Sequence, residues 1–174
     1  KVVYISLPNH LHAEWSIRCA QAGKHILCEK PLTTHFAEAM VVVEAARYHD
    51  VFLMEAFMYR CSSQTARRVQ LIRKGAIGEV RFIQSSFSYQ MGPDYDNIRL
   101  QNQAGGGGIL DVGAYPLSMA RLIAGAAQGK DFAEPIELKG VAHLGARSRV
   151  DEWDAASLKF SGDILAGISC GCQV

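Results

Sequence analysis

Hydrophobic residues in the first third of the chain come in short runs, separated by stretches with helical spacing. Residues 2–7 are apolar and β-branched, and Pro8-Asn9-His10 marks a turn before helical spacing over residues 12–22, closed by Gly23. A second apolar run covers residues 25–29. Thr33 or Thr34 then offers a hydroxyl cap to a helix reaching about Tyr48, with the acidic Glu38 near its first turn. Residues 51–57 form a third run. Strands alternating with helices of this length predict a parallel sheet with right-handed crossovers.

After residue 58 the pattern changes. A helix over 64–74 ends at Gly75, and residues 79–89 alternate apolar positions such as Val80 and Phe82 with polar ones, as in a sheet with one wet face. Residues 91–103 are polar and irregular. Four glycines, 105–108, precede a stretch whose helix formers continue to Ala124-Gly125. Three further strand patterns cover 137–147, 152–160 and 164–174, the last two joined by the hairpin signal Ser161-Gly162-Asp163. The expected fold class is therefore α/β. A partial, doubly wound parallel sheet of the Rossmann type comes first, followed by an α+β domain with an open, mostly antiparallel sheet. Residues 1–58 are assigned to the C-terminal half of a dinucleotide-binding domain. Residues 59–174 are assigned to a substrate and oligomerisation domain that is incomplete at its C-terminus.

Composition narrows the function classes. At 174 residues, 49% of them hydrophobic, the chain can bury a real core. Its net charge of +1 and scattered basic residues, apart from Arg67-Arg68 and Arg73-Lys74, argue against nucleic acid or an anionic membrane as partner. No apolar run approaches the ~20 residues of a membrane span, and the amino end does not read as a signal peptide. Five cysteines without framework spacing predict reduced thiols and a cytoplasmic setting. Cys170-Gly171-Cys172 puts two thiols on one face of a strand, where buried apolar cysteines are favoured over a metal because no second Cys or His pair is near. The chain starts at Lys1, not Met, and both ends fall in strand patterns, so a piece of a longer protein is expected.

The candidate chemistry sits where strands end. In a parallel sheet ligands bind beyond the carboxyl ends of the strands, which is where Glu29 and Lys30 stand. Pro31 fixes its own φ and keeps Lys30 extended, so the pair could aim the ammonium; an ordinary Glu-Lys pair at a strand end is the plainer alternative. Pro8-Asn9-His10-Leu11-His12 lies between a strand end and a helix start, where backbone N–H groups favour an anionic or polar ligand. Its two histidines lack a Cys or carboxylate companion, so no metal is assigned. The four glycines follow a polar loop rather than a strand, so they read as flexible or closely approached backbone ahead of a helix and not as a phosphate cradle. Asp111 and Tyr115 are four apart and share a helix face. A phenol near pKa ~10 is a weak base at neutral pH, but a neighbouring ammonium such as Lys30 stabilises the phenolate. The alternative is a buried tyrosine with its hydroxyl hydrogen-bonded.

The order Pro8-Asn9-x-x-His12, Glu29-Lys30-Pro31, Glu55-Ala56-Phe57-Met58-Tyr59-Arg60 and Gly106-Gly107-Gly108-x-x-Asp111-x-Gly113-x-Tyr115 resembles the Gfo/Idh/MocA family of NAD(P)-dependent oxidoreductases. Tyr115, where most members carry His, and the 55–60 stretch resemble the branch containing glucose-fructose oxidoreductase and dihydrodiol dehydrogenase. Ser62-Ser63 replace the usual His-Pro before Gln64. The resemblance implies NAD or NADP as cofactor, a sugar, polyol or cyclic diol as substrate, and a Lys30-Pro31 bond that can be cis. It also implies a homo-oligomer formed through the second sheet. Lys30 and Tyr115 become the catalytic pair, with Lys30 lowering the phenol's pKa. Leu7, Pro8, Asn9, His12, Glu29 and Lys30 would border the nicotinamide and its ribose; Asp111 would help fix the substrate, and Arg60 is a further substrate candidate at the domain junction. Two other functions share the fold: a cofactor-binding regulator without turnover, against which retention of both Lys30 and Tyr115 argues, and an NAD-dependent glycoside-cleaving enzyme. The acidic or basic residue that would separate NAD from NADP is not in the sequence.

Overall fold

A computed structural model describes all residues, Lys1–Val174. Strands β1 (Val2–Ile5), β2 (His25–Cys28) and β3 (Leu53–Glu55) pair in parallel in that order. Helices α1 (His12–Gln21) and α2 (Phe36–Tyr48) make the crossovers. Alternate positions face alternate sides of a strand, so Ile5, Ile26 and Cys28 are buried together with Ala20 of α1 and are packed by Val3, Leu32 and Leu53. On the opposite face Val2, Tyr4 and Met54 are exposed. The cap of α2 differs from expectation. His35, not a threonine, is the N-cap and accepts from the Glu38 N–H at 3.4 Å, while Thr34 spends its hydroxyl on Glu38 Oε2 at 2.9 Å.

Helix α3 (Ser63–Arg73) leads to a four-stranded sheet of β4 (Phe82–Ser88), β5 (Glu137–Leu144), β6 (Asp151–Phe160) and β7 (Ile164–Gly171), in the order β4-β7-β6-β5. β5, β6 and β7 are antiparallel, as expected. β4 pairs with β7 in parallel, which makes the sheet mixed. A parallel pair needs a crossover, and α4 (Ala114–Ala127) lies within it, packed on β4 and β7. Small residues of α4, Ala120 and Ala124, let it sit close on Ile83, Leu158, Phe160, Ile164 and Ala166, which form the main core. The strands thus form two separate sheets, one of three strands and one of four.

Candidate active site

The site lies where the carboxyl ends of β1 and β2 meet the segment leading into α4. Beyond β1 the chain turns through Leu7, Pro8 and Asn9 before α1 begins; beyond β2 it passes through Glu29 and Lys30 to a cis Lys30-Pro31 bond. His12 joins these turns. It is fully buried, and its two ring nitrogens face the carbonyl oxygens of Pro31 and Leu7, each at 2.7 Å. That position makes it a tie between two loops. From the same turn Asn9 donates through Nδ2 to the Gly105 carbonyl at 2.8 Å, linking the first sheet's loops to the glycine run of the second region. Gly105 has φ +72°, and a Cβ there would meet Thr34 Cγ2 at 2.7 Å and Asn9 Cβ at 3.1 Å. The run is therefore backbone closely approached by its neighbours, side chains at Gly105 and the Arg99 carbonyl at Gly106.

Lys30 crosses between the regions. Its ammonium donates to the Asp111 main-chain carbonyl and pairs with Asp111 Oδ1 at 3.2 Å, the two side chains being 14% and 11% exposed. Arg99 Nε reaches the same Oδ1 at 3.2 Å, and the Tyr89 hydroxyl donates to Oδ2. Burial by itself would raise Asp111's pKa. The Tyr89 hydrogen bond and the charges of Lys30 and Arg99 outweigh it and hold the carboxyl below its ordinary value. The Tyr89 phenol moves the other way, pushed up by burial and by its bond to Asp111.

Tyr115 stands in the first turn of α4, with its ring 5.4 Å from Lys30 Nζ. Phe57, Tyr59 and Phe87 surround that ring at centroid distances of 5.6, 6.2 and 5.6 Å. Its hydroxyl is not hydrogen-bonded, unlike that of a tyrosine buried for structure alone. Its pKa is raised by burial first and then by the Glu29 and Asp111 carboxylates. The expected lowering by Lys30 is overturned: the ammonium lies over the ring and is paired with Asp111, while burial and the two carboxylates raise the phenol.

A cavity of about 890 Å³ opens between these groups, lined by the polar set Lys30, Asp111, Arg99 and Tyr89 and by Tyr115, Phe87, Met58 and Met119. A second cavity, about 290 Å³, adjoins it at Lys30, Asp111 and Arg99 and is lined by Leu7, Asn9, His12 and Glu29. Glu29 is fixed there by the Tyr4 hydroxyl at 2.5 Å. Of the residues singled out from sequence, Pro8 and Arg60 line neither cavity. Pro8 precedes a short helical turn at Asn9–Leu11, and Arg60 stacks on Phe132 with 4.3 Å between guanidinium carbon and ring centroid. Tyr89 and Arg99 were not identified from sequence. Tyr89 ends a strand pattern and Arg99 lies in the polar 91–103 stretch; only the fold brings them onto Asp111.

Residues 1–57 match the oxidoreductase family with an NAD-binding Rossmann fold, and residues 64–174 match the Gfo/Idh/MocA C-terminal domain. The chain belongs to the Gfo/Idh/MocA family. Among similar proteins is D-xylose 1-dehydrogenase (NADP(+)) 2 of Haloferax volcanii, 43% identical over 71% of this chain and 38% of its own length. Trans-1,2-dihydrobenzene-1,2-diol dehydrogenase of Xenopus tropicalis is 32% identical over 97% of this chain and 48% of its own. The crystal structure of aldose-aldose oxidoreductase from Caulobacter crescentus, complexed with glycerol, superposes with a TM-score of 0.88 at 28% identity, covering 100% of this chain and 51% of that one. The chain thus spans about half the length, or less, of these Gfo/Idh/MocA relatives.

Proposed function

We propose that the protein is an NAD(P)-dependent oxidoreductase that transfers a hydride between the nicotinamide and a carbon bearing a hydroxyl or carbonyl on a sugar, polyol or cyclic diol. The observation that carries this reading is the ammonium of Lys30, 5.4 Å from the ring of Tyr115 at the edge of a shared cavity. Lys30, held by Asp111, polarises the substrate oxygen. Tyr115, a neutral phenol at physiological pH like any tyrosine and held more firmly so by burial and the nearby carboxylates, donates a proton to that oxygen during reduction and takes it back during oxidation. Asp111 serves the substrate indirectly, by fixing Lys30 and Arg99. The aromatic and methionine wall covers the apolar face of a sugar or diol ring.

The smaller cavity fits the nicotinamide end of the cofactor. Its volume is at the low end for ligand pockets, and it stands at the carboxyl ends of parallel strands. Leu7, Asn9, His12, Glu29 and Lys30 would border the nicotinamide and ribose there. Bound NAD(P) supplies the hydride chemistry; the xylose dehydrogenase relative's name favours NADP. Residues 1–58 are taken as part of the cofactor domain and 59–174 as the substrate domain. β5, exposed along its whole length, supports self-association through the second sheet. Five free cysteines, and no helix long and apolar enough to cross a membrane, support a cytoplasmic setting.

The test is turnover of the full-length protein with NADP⁺ or NAD⁺ across aldoses, polyols and trans-dihydrodiols. Lys30→Met is expected to lower kcat/KM by at least about 100-fold. A protein that binds NADPH but oxidises or reduces no member of the panel contradicts the reading.

A further inference from the structure

The glycine run has a second neighbour besides Asn9. Asp151, at the start of β6, reaches under it, and its Oδ2 accepts the Ile109 N–H at 2.6 Å. A Cβ on Gly107, whose φ is +115°, would fall on Asp151 Oδ1, and one on Gly108 would lie 3.3 Å from Asp154 Oδ2 and 3.2 Å from the Gly171 Cα. The segment that follows is a π-helical turn, Ile109–Gly113, which runs directly into α4. It has no side-chain cap of its own. A Cβ at Gly113 would lie 2.7 Å from Cys170 Sγ, so the turn is pressed on β7 as well. One turn thus carries Asp111, leads straight to Tyr115, and is anchored at its first peptide by a carboxylate from another strand.

We propose that Asp151 is a positioning residue for the reaction: by holding the Ile109 N–H it sets the seat of the turn that presents Asp111 and Tyr115 to Lys30. The claim rests on the oxidoreductase reading for its catalytic consequence, but not for its geometric one. A carboxylate on an otherwise unsatisfied helix-start N–H contributes both a hydrogen bond and a favourable charge. At Gly107 the Asp151 carboxylate occupies the space a side chain would need, and at Gly108 the Gly171 backbone and Asp154 leave little room for one. Asp154 adjoins the anchor, and its Oδ1 is buried without a hydrogen-bond partner.

The experiment compares Asp151→Asn, which keeps an acceptor oxygen, with Asp151→Ala, which removes it, in the full-length protein. Tyrosine labelled with ¹³C at Cζ reports the Tyr115 phenol by NMR, assigned through Tyr115→Phe, without any substrate. Asp151→Ala is expected to shift the Tyr115 titration toward ~10, the ordinary tyrosine value, and Asp151→Asn to leave it where the native protein has it. In turnover, Asp151→Ala should lower kcat about 10- to 100-fold with KM changed less than about threefold, and Asp151→Asn should restore most of it. An unchanged Tyr115 titration in a folded Asp151→Ala protein overturns the proposal, as does equal damage by both substitutions. Failure of the enzyme reading would show instead as no turnover in the native protein, with the NMR comparison still deciding the role of Asp151.

Discussion

The two sides of the large cavity are built on different physics. On one side, Asp111 takes hydrogen bonds and ion pairs from Lys30, Arg99 and Tyr89, so that each polar group is fixed by another. On the other, Tyr115 sits among Phe57, Tyr59 and Phe87 with its hydroxyl uncommitted. Both sides carry a phenol whose pKa is raised by burial, yet Tyr89 has spent its proton on a carboxylate and Tyr115 has not. Burial raises both phenols; what separates them is that the Tyr89 hydroxyl already has a partner and the Tyr115 hydroxyl has none.

The sharpest break between the two sides is a pair of matched substitutions. Tyr115→Phe should lower kcat for carbonyl reduction by roughly 100- to 10,000-fold, the range of a lost general acid. Tyr89→Phe, which removes a donor from Asp111 but no reacting group, should cost about tenfold or less; equal losses measured by steady-state kinetics would erase the distinction. The pH profile sharpens it further. Because Tyr115 is raised, reduction should hold level through neutral pH, while oxidation, which needs the phenolate, should climb with pH above neutrality and lose that climb in Tyr115→Phe.

Truncating the apolar side should touch binding, not chemistry. Phe87→Ala should raise KM for the sugar or diol about 5- to 10-fold, the scale of one aromatic contact, with kcat nearly unchanged. The polar side should show in acid. Asp111's folded pKa is depressed, so its contribution to stability is present above its ordinary pKa of ~4 and is lost as pH falls through the folded value. Thermal unfolding followed from pH 6 to pH 3 should reveal this slope, and Asp111→Asn should flatten it.

A further expected effect has the opposite sign and lies behind the glycine run. Burial first, and then the adjoining Asp151, push Asp154 up to about 7, with Cys170 facing it from β7 at 3.6 Å. A raised acid favours folding below its unfolded pKa, and that advantage is lost as pH rises to about 7. Asp154→Asn should therefore gain thermal stability over the native protein as pH rises across this window and hold the gain above it. A difference that stays constant with pH would show that Asp154 does not titrate there.

Legibility followed the range of the interactions involved. Ile26 and Cys28 announce β2 because a buried strand needs only a run of apolar neighbours, and Lys30 falls at its carboxyl end by chain order alone. The start of α2 was placed on a threonine because hydroxyl caps are common, whereas His35 holds the Glu38 N–H and the threonine hydroxyls bond elsewhere. Arg60, a substrate candidate beside the 55–60 motif, lies against Phe132, more than seventy positions away, and lines neither cavity. The parallel pairing of β4 with β7 likewise depended on where α4 packs, which strand alternation does not encode.

The amino-acid order determined which chemistry is present: an amine at a strand end, a phenol and a carboxylate four apart, and glycines between them. It did so because strand and helix periods and turn residues act over a few positions. The tertiary structure alone decided that Lys30 is paired with Asp111, that Tyr115 is raised and uncommitted, and that Tyr89, Arg99 and Asp151 belong to the same construction. Charge, desolvation and hydrogen bonding depend on distance through space, and these partners lie between 12 and 81 residues apart along the chain.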